Sequence, residues 1–333
     1  MQIKIKAREN NITECECPFC GSNMMFVKDD VFSCFACGKS GSLNEIKNIL
    51  THNIKPGLFG YPEDAKIILE INEKAAMLYY ENLKEKNAGS SYFKKRGIRK
   101  EDVDRFGLGY APDNFTWLYD KLKSEYSKED LEKSGLFRQG KYGLYDFFRN
   151  RVMFPIFGYD GSVIAFGGRV MDDSKPKYIN SSENEIFSKH ENLYGFPYDE
   201  KPKSESIFIC EGYMDLIAVK KAGISDSAAV LGTALTKDHA RLIASRYRHV
   251  YLGLDSDAAG INAMKRSLRT LHAYGLSVSV PEFMPAKDPD EFYQKYGGEK
   301  LKKRIEKAKN AERVLSKYAD ANTLLDVLLQ SAK

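Results

Sequence analysis

The stretches FICEGYMD (Phe208–Asp215) and YLGLDSDAAG (Tyr251–Gly260) decide the fold of this chain. In each, an apolar run predicts a buried strand that stops at carboxylates, Glu211 with Asp215 and then Asp255 with Asp257. A helical stretch follows each one. If the two strands are parallel neighbours, their acids meet at the carboxyl edge of a sheet, where open α/β folds place ligands. Clustered acids repel one another unless divalent cations sit between them. Oxygen-only ligands suit Mg²⁺ or Mn²⁺, and Mg²⁺ commonly works with phosphate substrates. A solvated loop would explain any single Asp. It does not explain acids at corresponding strand ends with Gly212 and Gly260 beside them.

Outward from these stretches the pattern is regular. SIFIC reads as a strand, YMDLIAVKKAG as a helix closed by Gly223, and SAAVL as a strand. Residues 236–246 read as a helix capped by Thr236 or its neighbour, HVYLGL as a strand, 258–273 as a helix and LSVSV as a last strand. Strand and helix in alternation imply right-handed crossovers and a largely parallel sheet. AKDPDEF follows (Ala286–Phe292), and Pro289 predicts an extended or turned loop carrying Asp288 and Asp290. Cys210 reads as a small apolar core residue, and His190, His239 and His249 have no second His at ligand spacing.

Upstream, FFRNRVMFPIFGYDGSVIAFGGRV (Phe147–Val170) alternates about Asp160-Gly161 and predicts a hairpin with a tight turn. PKYINS follows at 176–181. Arg149, Arg151, Arg169 and Lys177 fall near strand ends or loops. Each alone reads as an exposed solubilising charge; by chemistry Arg suits bidentate phosphate contact and Lys a more mobile charge-to-charge contact.

The six cysteines are uneven: five lie between Cys15 and Cys37, and Cys210 stands alone. Cys17, Cys20, Cys34 and Cys37 form C-x2-C pairs separated by thirteen residues. That spacing predicts one tetrahedral structural Zn²⁺ with a hairpin between the pairs, built on Met25, Val27, Val31 and Ser33. Cys15 is excluded because its spacing to Cys17 is tight. A module this small has little core, and zinc can contribute roughly 10–16 kcal/mol. Residues 1–50 carry six basic and six acidic side chains, so the module is no general phosphate magnet. Phe32 and Phe35 could stack on bases, although packing a tiny core is their more ordinary use.

A chain of 333 residues allows two or three domains, and a net charge of +5 is compatible with nucleic acid. The amino terminus MQIKIKAREN lacks a signal-peptide apolar region, and no apolar run approaches the ~20 residues of a membrane span. The expectation is a cytoplasmic protein with no membrane partner.

E-G-Y-M-D followed by D-S-D resembles the TOPRIM domain of primases and topoisomerases, and the chain from Cys17 to Asp290 resembles a bacterial or phage primase of the DnaG type. Tyr92-Phe93-Lys94-Lys95-Arg96-Gly97-Ile98 and VLGTALTKDHA (Val230–Ala240) are similar to further segments of that family. Primases of this type usually show one His among the zinc ligands; four cysteines resemble certain phage forms. The resemblance implies an α/β protein in parts: a small zinc-ribbon β module (1–50), a linker (51–62), a mixed α+β basic subdomain (63–203), a TOPRIM parallel-sheet subdomain (204–292) and a short helical tail (293–333).

It also implies that Arg151, Lys177 and Asn180 hold template or nucleotide phosphates, with Arg149 and Arg169 as weaker assignments. Asp288 and Asp290 match the family's third acidic motif. Glu211, Asp255 and Asp257 would be the main Mg²⁺ or Mn²⁺ ligands, and Asp215, Asp288 and Asp290 the outer or second-metal ligands. The implied activity is RNA primer synthesis from NTPs on single-stranded DNA, with the zinc module helping to choose the start. The tail leaves little room for the domain that docks on a replicative helicase. The competing classes are a RecR-like binding protein without catalysis, and a TOPRIM nuclease or topoisomerase. RecR-like proteins are shorter and are not expected to carry the RNRVMFP and PKYINS segments, and a topoisomerase needs a nucleophilic Tyr in a separate domain.

Overall fold

Why the acidic strands lie side by side is visible in their composition. Ile207, Phe208, Ile209, Val250 and Leu252 are apolar and fully buried, as a strand covered on both faces by helices requires. The computed structural model describes residues 5–9, 12–15, 25–28, 31–34, 40–42, 61, 65–198, 202–254 and 258–315. These fall in two units, 1–66 and 67–333.

The first unit contains β1 (Ile5–Glu9), β2 (Ile12–Cys15), β3 (Met25–Lys28), β4 (Val31–Cys34) and β5 (Ser40–Ser42), paired in that order. The hairpin expected about Asp29-Asp30 is present, with Met25 opposite Cys34 and Lys28 opposite Val31. Phe32 is buried with Met25, so its ring packs the core rather than facing a base. Cys17, Cys20, Cys37, Phe35 and the side chain of Cys34 lie outside the described residues.

The second unit begins with helices α1 (Lys66–Lys84), α2 (Ala88–Lys95) and α3 (Lys100–Phe106) and strand β6 (Gly109–Ala111). Short helices α4 (Trp117–Leu122) and α5 (Lys128–Lys133) precede the hairpin of β7 (Phe137–Gly140) and β8 (Gly143–Asp146). Next come β9 (Arg151–Phe157), β10 (Val163–Val170) and β11 (Tyr178–Asn180), which with β6 form an antiparallel sheet in the order β11-β10-β9-β6. The β9–β10 turn falls at Asp160-Gly161, where Gly161 takes φ 82°, a left-handed value that favours glycine. Ile71, Tyr79, Leu118, Phe137 and Phe166 pack the core of this half.

Alternation then sets in as β12 (Ser206–Cys210), α6 (Tyr213–Lys221), β13 (Ser227–Ala229), α7 (Lys237–Ala244), β14 (His249–Gly253), α8 (Ala258–His272) and β15 (Ser277–Val280). The helices α9 (Pro289–Tyr296) and α10 (Gly298–Glu306), strand β16 (Lys309–Asn310) and helix α11 (Ala311–Leu315) follow. The sheet order is β13-β12-β14-β15-β16; the first four strands are parallel and β16 is antiparallel. β12 and β14 are direct neighbours, with Ser206 opposite His249 and Cys210 opposite Gly253.

Two expectations are corrected. Residues 288–290 are not a loop. Asp288 is extended (φ −143°) and caps α9 by accepting from the Glu291 amide at 2.8 Å, Pro289 takes the first helical position and Asp290 the next. The residue before Pro is indeed kept out of the helical region, but Pro is well suited to the first turn, so the helix starts there. The tail also includes the edge strand β16, whose two residues carry too little pattern to show in sequence.

Candidate functional site

The EGYMD segment spans the end of β12 and the start of α6, so its polar and apolar residues face different surroundings. Glu211 and Asp215 are half-buried at the strand's carboxyl end, and Tyr213 and Met214 are buried. Tyr213 links the two sheets. Its ring stacks on Phe154 of β9 at 4.8 Å and on Tyr178 of β11 at 5.8 Å, and meets Tyr194 edge-on at 4.6 Å. Gly167 on β10 makes room: a Cβ there would lie 2.3 Å from the Tyr213 ring. The Tyr213 hydroxyl donates to Asn180 Oδ1 at 2.6 Å, and Asn180 Nδ2 donates to the Leu231 carbonyl at 2.9 Å. Asn180 therefore holds the acidic motif and the VLGT loop against β11.

The third acidic segment comes to the same place. The Asp290 amide donates to Asp215 Oδ1 at 3.1 Å, joining positions 75 residues apart. Asp290 Oδ2 accepts from Arg96 Nη1 at 2.9 Å, and its Oδ1 from Gln294 Nε2 at 3.3 Å. Burial raises the Asp290 pKa, opposed by Gln294 and Arg96. Arg96 comes from the YFKKRGI segment, and no local periodicity shows that it reaches an acid 194 residues away.

Positive charge faces these acids. Lys177 is held below the usual lysine range by partial burial, then by the neighbouring charges of Arg169, Lys287 and Arg96. Arg169 is buried, with its guanidinium 4.9 Å from the Tyr92 ring centre and 5.6 Å from that of Tyr178. Its Nε and Nη1, and the Tyr92 hydroxyl, have no hydrogen-bond partner among the described residues. Buried donors are ordinarily paired, so this group is arranged for a partner of opposite charge.

The other two arginines are placed differently. Arg151 is buried and donates to the carbonyls of Gly168 (3.2 Å), Lys177 (3.3 Å) and Pro176 (3.1 Å), which fixes the loop carrying Lys177. Arg149 lies over the rings of Phe115 (4.5 Å) and Tyr145 (5.2 Å) and donates to the Asp146 carbonyl.

Asp215 and Asp290 are thus brought together with Arg96, and Asp288 caps the helix that carries Asp290. Asp255 and Asp257 lie outside the described residues. Among the described residues no three carboxylate, thiol or imidazole groups converge tightly enough to hold a metal by themselves. The donor chemistry, carboxylate oxygens at strand and helix ends beside buried cations, fits a hard divalent ion.

Comparison with known proteins places this arrangement. Residues 78–200 match the family described as DNA primase catalytic core, N-terminal domain, and residues 208–293 match the Toprim-like family. A DNA primase of Clostridium acetobutylicum is 38% identical over 306 residues, covering 84% of this chain and 50% of that protein. A DnaG primase catalytic domain bound to ssDNA superposes with a TM-score of 0.69 at 31% identity, over 77% of this chain and 84% of that one. The zinc-binding and RNA polymerase domains of the Aquifex aeolicus primase give 0.69 at 28% identity, over 99% of this chain and 91% of that one. The class so defined is a Toprim-like parallel sheet joined to a basic antiparallel sheet. The chain belongs to the DnaG-type DNA primases, and it spans about half the length of the primases it matches in sequence.

Proposed function

We propose that this chain makes short RNA primers from NTPs on a single-stranded DNA template. The observation that supports this most is the meeting of Asp215 and Asp290 with Arg96, beside a buried Arg169 with two donors unused among the described residues. In this reading Arg169 and Lys177 hold nucleotide or template phosphates. Arg151 and Asn180, which the resemblance also assigns to phosphate, are committed to backbone carbonyls and to Tyr213 and instead position them. Arg149, over two aromatic rings, belongs to the template path. Glu211, Asp255 and Asp257 are the inner ligands for Mg²⁺ or Mn²⁺, with Asp215, Asp288 and Asp290 outside them. Two such ions would acidify the attacking 3′-hydroxyl and neutralise the departing phosphates.

Four thiolates at Cys17, Cys20, Cys34 and Cys37 suit one structural Zn²⁺, in a module (1–50) that helps select the start sequence. The division into a basic subdomain (63–203), a TOPRIM subdomain (204–292) and a tail (293–333) accompanies this reading. Among the described residues no helix is long and apolar enough to cross a membrane. The RecR-like and nuclease alternatives leave the match over residues 78–200 unexplained.

The test supplies the protein, Mg²⁺ and labelled NTPs to random single-stranded DNA, with Asp255→Ala and Glu211→Ala alongside. Short RNA from the wild type, reduced roughly 10²-fold or more in both variants, supports the assignment. Near-normal synthesis by either variant overturns it, and sequencing the product starts would identify the recognised template.

A further inference from the structure

The helix that carries Asp290 has a second functional face. Asp290 points at Asp215 and Arg96; Phe292 and Tyr296, two and six positions later, lie about 200° and 240° round the same helix. Their rings meet at 4.7 Å and form one wall of a groove of about 600 Å³ between α9, α10 and the β15–β16 edge. Five cations line it: Lys300, Lys303, Arg304, Lys307 and Lys309. One acid, Glu282, also lines it, and its carboxylate takes the Lys309 ammonium at 2.9 Å. Arg304 lies 5.3 Å from the Phe292 ring centre, and Lys300 lies 5.9 Å from that of Tyr296.

The composition follows from α10 itself. Leu301 and Ile305 are buried and anchor the helix, while Lys300, Lys303, Arg304 and Lys307 are exposed. A helix that needed only solubility would alternate signs along its face; this face is almost wholly positive. The charge excess selects a polyanion, and the half-buried Tyr296 ring, with Phe292 buried beside it, offers one planar base a partial contact. A closed nucleotide site would need fixed polar groups to read the base, yet among the described residues no Asn, Gln, Ser or Thr lines the groove. Flexible cations on an open wall suit a strand instead.

We infer that this groove binds a single nucleic-acid strand through its phosphates, without regard to sequence, on the side of α9 opposite the carboxylates. It is a second strand contact, distinct from the Arg169–Lys177 cluster, and it stands on charge and shape whether or not the carboxylate site makes primers.

The test is strand binding in EDTA, where no synthesis occurs. A labelled mixed-sequence single-stranded oligonucleotide is titrated with the full chain, with Lys303→Gln/Arg304→Gln/Lys307→Gln, and with the charge-matched Lys86→Gln/Lys121→Gln/Lys128→Gln. All six positions are exposed, so both variants should melt as the wild type does. The groove variant is expected to bind on the order of tenfold more weakly at moderate salt, with the slope of log Kobs against log [salt] reduced by about two. The control should lose little. Equal loss in both variants would reduce the effect to net charge, and no loss in either would remove the groove from strand binding. If the groove variant lost affinity for ATP alone and kept the oligonucleotide, the groove would be a nucleotide site and the inference would fail.

Discussion

Arg151 and Arg169 stand on neighbouring strands, β9 and β10, one position out of register, and both are buried. Their surroundings are opposite. Arg151 donates to three backbone carbonyls, while Arg169 lies between two tyrosine rings with two nitrogens unused among the described residues. Burying an unpaired donor costs about 1–3 kcal/mol, so a fold that keeps one gives up stability. Such a group is most simply explained by a partner that arrives with the substrate. One arginine builds the loop; the other is the one we propose takes an anion.

This contrast can be broken at several points. Replacing Arg169 with Met, close in length but without donors, should lower primer synthesis by about 10²-fold while the melting temperature holds or rises. Arg151→Met should do the reverse. Three carbonyls lose their donor, so urea unfolding should show a loss of about 2–3 kcal/mol, with synthesis per folded molecule within about tenfold of wild type. If the two variants behaved alike, the distinction between them would be lost.

Buried polar groups elsewhere sharpen the comparison. His239 in α7 is fully buried, accepts from the Thr236 amide at 3.3 Å, and is pushed down to about 4 by burial. The unfolded imidazole binds a proton below about pH 6.5, whereas the folded one resists it until about pH 4. The stability it contributes is therefore present above pH 6.5 and lost as pH falls toward 4. Between pH 7.5 and 5.5 the loss should be about 1.3 kcal/mol, and His239→Gln should remove that component from the pH dependence. Tyr213→Phe keeps the ring stack and deletes one hydrogen bond, which should cost about 1 kcal/mol by denaturant titration.

The carboxylate sheet was legible because β12, β13 and β14 are largely apolar runs closed by turn or acid signals, whereas β16 carries too little pattern to show. The direct β12–β14 pairing was only a premise there, because the crossover rule sets handedness and not strand order; the structure supplies it. The hairpin at Asp160-Gly161 was equally plain, since alternation and turn chemistry agree there. Three things were not. The cap at Asp288 was hidden because Pro reads first as a helix breaker, although it suits a first turn. The roles of Arg96 and Tyr213 depend on contacts with distant segments, which local patterns do not carry. The difference between Arg151 and Arg169 is a matter of where carbonyls fall around each guanidinium, and R-N-R and G-G-R contain no trace of it.

The most direct measurement is NTP incorporation on single-stranded DNA by Arg169→Met beside wild type and Glu211→Ala, each corrected for the fraction folded. The account predicts that both variants stay folded, keep native melting and lose nearly all synthesis. Arg169→Met making primers at the wild-type rate would contradict it, because the two nitrogens without a partner among the described residues would then have no ligand to explain them.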